Sequence, residues 1–191
     1  MDLRSTTFAL AAALLPAATA AAQDAAADLR SKDVAVQLAA IDAIAAANGD
    51  VPLILPGLLK DKDWEVQERA AMALGKLGHA ASLPQLATMA QDGDVFRVRR
   101  AAALAVSAID AAAGAERIAK KLKGKDQIAA LEALAFVLRG HPGFAEIDKI
   151  EALVAAADAE VREPAAVAFL EGAADRAAAL RKLLGDRHLG V

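Results

Sequence analysis

Apolar positions along this chain recur on a long period as well as a short one. Ile54, Leu86, Ile118 and Ile150 stand 32 residues apart, and Leu180 follows 30 later. Four residues beyond each lie Leu58, Ala90, Leu122, Val154 and Leu184. An i, i+4 pair marks one face of a helix. A second series runs beside the first. Val66 and Val98 open the segments VQERAAMAL and VRRAAALAV, and Val161 opens VREPAAVAF. All three read as a valine followed by an alanine pair and then apolar-Ala-apolar, with Arg100 and an extra alanine, Ala101, in the middle one. A fourth unit keeps Ala133-Leu134-Ala135-Phe136, and a first keeps the spacing in Val34, Leu38 and Ile41.

This double periodicity predicts units of two helices. The first helices are expected at 33–47, 63–77, 95–109, 126–139 and 159–171. The second are expected at 51–60, 83–91, 115–123, 144–157 and 174–184. Breakers fall between these segments. Asn48-Gly49-Asp50, Gly78-His79, Gly114, Gly140-His141-Pro142-Gly143 and Gly172 sit inside units, whereas Asp61, Asp92-Gly93-Asp94, Gly124, Asp158 and Gly185-Asp186 sit between them. Ser82-Leu83-Pro84-Gln85 reads as a capping box, and Asp63 and Glu65 suit the positive end of a helix dipole. Pro164 breaks the pattern. It requires the fifth unit's first helix to start late, near Arg162, or to kink. Asp61 with Arg69, Asp94 with Arg99 and Asp158 with Arg162 suggest a polar ladder linking units.

Composition supports the helical reading. Apolar residues make up 57% of the 191, aromatics only 3%, and the excess is alanine. Alanine is the best helix former and lets helices approach closely. The fold expected is all-α, a right-handed α-solenoid of about five antiparallel helix pairs, whose isoleucine and leucine row is buried between stacked units.

The stretch DKDWEVQERAAMALGKLG, Asp61 to Gly78, resembles the HEAT-repeat family, and more closely its short phycobilin-lyase-type variant. It carries the aspartate-rich turn, the valine, the alanine pair and the Leu-Gly-x-Leu-Gly end. The resemblance covers roughly 33 to 191. It implies the solenoid of HEAT-like repeats and says little about function. A bilin-handling enzyme is the least favoured reading it raises, because export and the scarcity of aromatic rings both oppose it.

The beginning of the chain reads as an address. Arg4 precedes the unbroken apolar run FALAAALL, Phe8 to Leu15, then Pro16 and small residues up to Ala20-Ala21-Ala22 before Gln23. This is the pattern of a cleavable secretory signal peptide. The apolar centre is shorter than the about 20 residues a membrane span needs. Residues 1–22 are therefore expected to be a signal peptide, 23–32 a linker, 33–185 the solenoid and 186–191 the start of an incomplete further repeat. A periplasmic or secreted protein follows, with no membrane span after signal removal.

Candidate chemistry is sparse. Without cysteine there are no disulfides, thiolate metal sites or thiol nucleophiles. His79, His141 and His188 lack a neighbouring Glu and lack an i, i+4 histidine partner. His79 and His141 fall in expected turns, where a solvated imidazole is the simple account. Ser82 reads as a cap, and Trp64 either covers the joint between two units or contacts a partner. No enzyme, cofactor or metal is expected. The net charge of −3 argues against nucleic acid as a partner. That charge is uneven, however. Residues 97–125 carry a net +6 and residues 23–95 a net −5. Arg117, Lys120, Lys121, Lys149 and Lys182 are the candidate partner-binding residues, on a ridge of second helices lining a concave surface. They either contact an acidic protein partner or merely solubilise alanine-rich helices. The function expected is a non-catalytic interaction or scaffold module. The alternatives are a structural or regulatory domain of a larger exported protein, or an electrostatic binder of an acidic polymer. Leu180, Leu183 and Leu184 would leave an apolar end open to self-association.

Overall fold

Asp63 shows how the architecture is built. Its backbone is extended, its carboxylate accepts from the Glu65 amide at 2.8 Å, and a helix follows at once. Asp33, Asp158 and Asp175 do the same for Ala35, Glu160 and Ala178. An N-cap carboxylate satisfies an amide that the helix leaves unpaired and faces the positive end of its dipole.

The structure, a computed structural model, describes residues 25–185. The expected signal peptide and the residues 186–191 lie outside the described residues. Within the expected linker, residues 25–28 are helical, and Ala25 and Leu29 are buried. The helices that follow are α1 (Val34–Ala47), α2 (Trp64–Lys76), α3 (Leu83–Asp92), α4 (Phe96–Ala119), α5 (Gln127–Val137), α6 (Ile147–Val154), α7 (Ala159–Gly172) and α8 (Arg176–Leu184). Short 3₁₀ segments occupy Leu55–Lys60 and Ala80–Ser82. Among the described residues there is no strand. The chain is an all-helical solenoid, as the period requires.

Three local expectations need correction, and a fourth is decided. The first unit's second helix, expected at 51–60, is a 3₁₀ segment beginning at Leu55, because Pro52 and Pro56 remove amide donors there. This slips the buried row by one residue. Leu55 is fully buried with Leu86, Ile118 and Ile150, while Ile54 is only partly covered. The third unit has no loop at Gly114. Its two helices, 96–109 and 111–119, meet at Asp110, which is extended and accepts from the Ala113 amide at 3.0 Å. Gly114 instead packs against its own partner helix, where a Cβ would lie 2.0 Å from Val106 Cγ1. The capping box does not form, because Ser82 is already helical and its hydroxyl meets His79 Nδ1 at 2.7 Å. Finally, of the two outcomes expected of Pro164, the late start near Arg162 is not seen, and α7 keeps the start at 159 that the spacing predicts. It runs from Ala159 through Pro164, capped by Asp158.

The polar ladder exists, but its acceptors are backbone carbonyls. Gln67 reaches the Asp61 carbonyl at 2.5 Å, Arg99 that of Gly93 at 3.0 Å, and Arg162 those of Ala156 and Ala157 at 2.8 Å. Gln37 and Gln127 reach Leu29 and Leu122 in the same way. Each side chain sits on the first turn of one helix and ties down the chain end that leads into it. Arg69 pairs with Asp42 on α1 at 2.5 Å, not with Asp61, and that hydrogen bond holds its guanidinium still more firmly protonated.

Packing defines two layers. The 3₁₀ segment 55–60 packs on α2, α3 on α4, and α6 on α7, so the tight hairpins close over the aspartate turns. The physical repeat therefore begins half a unit earlier than the sequence register suggested. Consecutive members of one layer (α1, α2, the first half of α4, α5, α7) also pack closely on each other, whereas α6 and α8 meet less closely, through side chains such as Glu151 and Lys182. Alanines make this possible: Ala70, Ala71, Ala102, Ala130 and Ala165 are fully buried. Interaxial distance follows side-chain size. A stack whose layers are unequally spaced bends toward the closer one, so the alanine-rich helices line the inner side. This corrects the expectation that the second helices line the concave surface.

Candidate functional site

The inner layer presents a row of uncovered apolar side chains. In the repeated motif the position six residues after the valine is exposed and the position eight after it is buried. Met72, Leu104 and Val167 are 54%, 42% and 44% exposed, whereas Leu74, Val106 and Phe169 are buried. In the fourth unit the roles exchange: Leu134 is buried and Phe136 turns partly outward. Phe96, two residues before Val98, is 51% exposed and meets Phe136 edge-on, with ring centroids 6.1 Å apart.

Guanidinium groups are laid over these rings. Arg97 lies 5.0 Å from the centroid of Trp64, Arg99 5.7 Å from Phe96, and Arg100 and Arg139 about 6 Å from Phe136. Cations over ring faces at such distances are attracted by the ring quadrupole. Trp64 thus covers the joint between units two and three, with Arg97 as its partner across the joint. Two concavities flank Phe96. One lies between α2 and α4 and includes Met72, Gly75, Lys76, Arg97, Arg100 and Leu104. The other lies between α4, α5 and α7 and includes Ile128, Glu132, Phe136, Arg139, Glu160 and Val167. The two share Phe96 and follow one another across the inner helices, and together they are called the groove. Glu68 binds Arg97 at 3.1 Å, Glu132 meets Arg99 at 3.6 Å, and Arg139 meets the buried Glu171 at 3.6 Å.

The five basic residues singled out from the sequence lie elsewhere, on the second-helix side. Lys121 bridges to Asp92 at 3.1 Å and reaches Asp126 at 4.0 Å. Lys149 pairs with Glu146 at 2.6 Å, and Lys182 with Glu151 on the preceding unit. Arg117 and Lys120 are exposed and have no ion pair among the described residues. The structure therefore ties three of the five to neighbouring carboxylates. His79 and Ser82 touch, but Ser82 is only 3% exposed. His141 is exposed in its turn, and His188 lies outside the described residues. No group of three or more His, Asp or Glu able to hold a metal occurs among the described residues. No helix among them is long and apolar enough to cross a membrane.

The groove has a faint signal in the sequence. Trp64 and Phe96 are 32 residues apart, as are Met72 and Leu104. Alternation within a helix shows that one of two apolar positions faces outward only once the neighbouring helices are placed.

A helical-repeat solenoid with a groove across its inner layer is the class this fold defines. The HEAT repeats family model matches residues 23–107 and 51–136, and the chain belongs to that family. No curated protein matches the chain. Among solved structures, an engineered protein is 22% identical over 78% of each chain, with a TM-score of 0.44. The complex of CpcE and CpcF of phycocyanin lyase from Nostoc sp. PCC7120 is 25% identical, with a TM-score of 0.45. There, 78% of this chain aligns with 64% of that one.

Proposed function

We propose that this chain is a non-catalytic protein-binding module, exported from the cytoplasm, that docks a partner along its inner groove. The observation that supports it most directly is the repeated exposure of Met72, Leu104 and Val167 beside Phe96 and Phe136. Apolar residues and arginine-bearing rings grouped on one face are the composition of contact surfaces. HEAT repeats give a rigid frame for such a surface, since each unit is braced by its neighbours. The near-complete burial of Ser82 supports a structural role for the Ser82–His79 contact. The export reading rests on Arg4, the run Phe8 to Leu15 and the Ala20-Ala21-Ala22 end.

Photo-crosslinking in the source cells tests both halves. A crosslinking residue at Leu104 should capture a defined protein, whereas the same residue at Leu53, fully exposed and outside the groove, should not. Equal labelling at the two positions would overturn the groove as the docking surface. Mass spectrometry of the same material should find a mature terminus at Gln23, and a chain retaining Met1 would overturn export.

A further inference from the structure

The groove has unlike ends. At the α2 end, the lining charges are Glu68, Lys76, Arg97 and Arg100. Glu68 and Arg97 neutralise each other at 3.1 Å. Lys76 and Arg100 are exposed and have no carboxylate within ion-pair distance among the described residues. At the α7 end, the lining charges are Glu132, Arg139, Glu160 and Glu163. Glu132 is taken by Arg99, and Arg139 shares the buried Glu171 with Arg176, which holds the same oxygen at 3.1 Å. Glu160 and Glu163 are exposed and have no cation within ion-pair distance among the described residues. Internal pairing therefore leaves Lys76 on α2 and Arg100 on α4, the latter beside Phe136, as cations without a carboxylate, and Glu160 and Glu163 on α7 as carboxylates without a cation, with Arg139 only partly neutralised near them. The apolar row of Met72, Phe96, Leu104, Phe136 and Val167 lies between them.

We infer that the groove takes an extended protein segment with ordered charges: acidic residues over Lys76 and Arg100, an apolar centre over Phe96 and Phe136, and basic residues over Glu160 and Glu163. This rests on the reading of the groove as a protein-docking surface, and adds the chemistry of what docks. Four inner helices at 8–10 Å spacing set a path of about 27 Å, which about eight extended residues cover. Complementary charges at both ends select the segment and reject uniformly acidic or basic ones, because like charges facing each other are costly. A second copy of this chain carries the same charges and could match them head to tail. The unpaired cations and carboxylates stand along a path that one extended stretch of about eight residues covers, so a separate segment is the occupant, and a second copy is the outcome that the last measurement below tests.

Selection from a random displayed peptide library, using the full mature chain, tests the charge order. The wild type should enrich peptides with an acidic flank, an aromatic or aliphatic centre and a basic flank. Lys76→Glu with Arg100→Glu should shift the enriched set to basic residues on both flanks. Glu160→Lys with Glu163→Lys should shift it to acidic residues on both. A peptide from the wild-type set should bind the first variant about tenfold more weakly, the worth of two exposed ion pairs. Lys76→Gln with Arg100→Gln, which avoids placing a carboxylate at the end of α2, should lose the preference at that flank alone. Enriched peptides that compete for the groove but show no charge order, or none that follows the reversals, would overturn this inference and leave the docking surface standing. An absence of any enrichment over a scrambled-surface control would overturn both. So would a dimer in sedimentation equilibrium that the Arg100→Glu change dissociates.

Discussion

Gly75 on α2 and Ala105 on α4 meet backbone to backbone. A methyl group on Gly75 would lie 2.6 Å from Ala105 Cα and 2.8 Å from its Cβ. This contact sets how closely the inner helices of units two and three approach, and with it the bend of the stack. Gly75→Ala should cost about 1–3 kcal/mol through overpacking, despite the gain of about 1 kcal/mol in helix propensity. Gly57→Ala, where a Cβ meets nothing within 4 Å, should stay within about 0.5 kcal/mol. Urea midpoints for the two variants are the measurement, and equal values would show that the close approach carries no energy.

The buried row gives a second prediction. Leu55→Ala, Leu86→Ala, Ile118→Ala and Ile150→Ala each remove a fully buried side chain and should cost about 2–5 kcal/mol. Ile54→Ala should cost clearly less, because Leu55 holds the interior position in the first unit. Denaturant unfolding that ranked Ile54 above Leu55 would contradict the one-residue slip.

Asp110 joins the two halves of α4 without a loop. Asp110→Ala removes the acceptor for the Ala113 amide and should lower stability by about 0.5–2 kcal/mol, with Asp110→Asn retaining most of it. Hydrogen exchange is expected to quicken first at Ala111 to Ala113. Uniformly faster exchange along the whole helix would point to some other role for the carboxylate.

Trp64 is the sole tryptophan, so its fluorescence reports one place. Arg97→Ala uncovers the ring and also releases Glu68. The emission should move to longer wavelength, while stability falls by only about 0.5–1 kcal/mol, as for an exposed cation–π contact. An unshifted spectrum would mean that the ring is covered by something other than Arg97.

A kinetic contrast separates the groove from the basic residues on the other layer. If Arg117 and Lys120 attract a partner at long range, charge reversal there should slow association and weaken its salt dependence, leaving dissociation unchanged. Leu104→Glu, inside the groove, should instead speed dissociation. Surface plasmon resonance on the captured partner distinguishes these effects. Identical kinetics for the two variants would remove the division of labour.

Much of this protein is legible without coordinates because its period is long and regular. The 32-residue spacing from Ile54 to Ile150 and the alanine pairs place the helices, their order and the stacked solenoid. These are local propensities repeated until one packing satisfies them all. The aspartates before α1, α2, α7 and α8 mark helix starts for the same local reason. Three features depended on contacts between distant residues, which no single repeat contains. The first is which layer lies inside, decided by the approach of Gly75 to Ala105. The second is which apolar position of each repeat stays uncovered, so that Met72 and Leu104 face the groove while Leu74 and Val106 do not. The third is which charges remain unpaired. Lys121 and Lys182 look available in the sequence until folding brings Asp92 and Glu151 beside them, whereas Lys76 and Arg100 are left facing the groove.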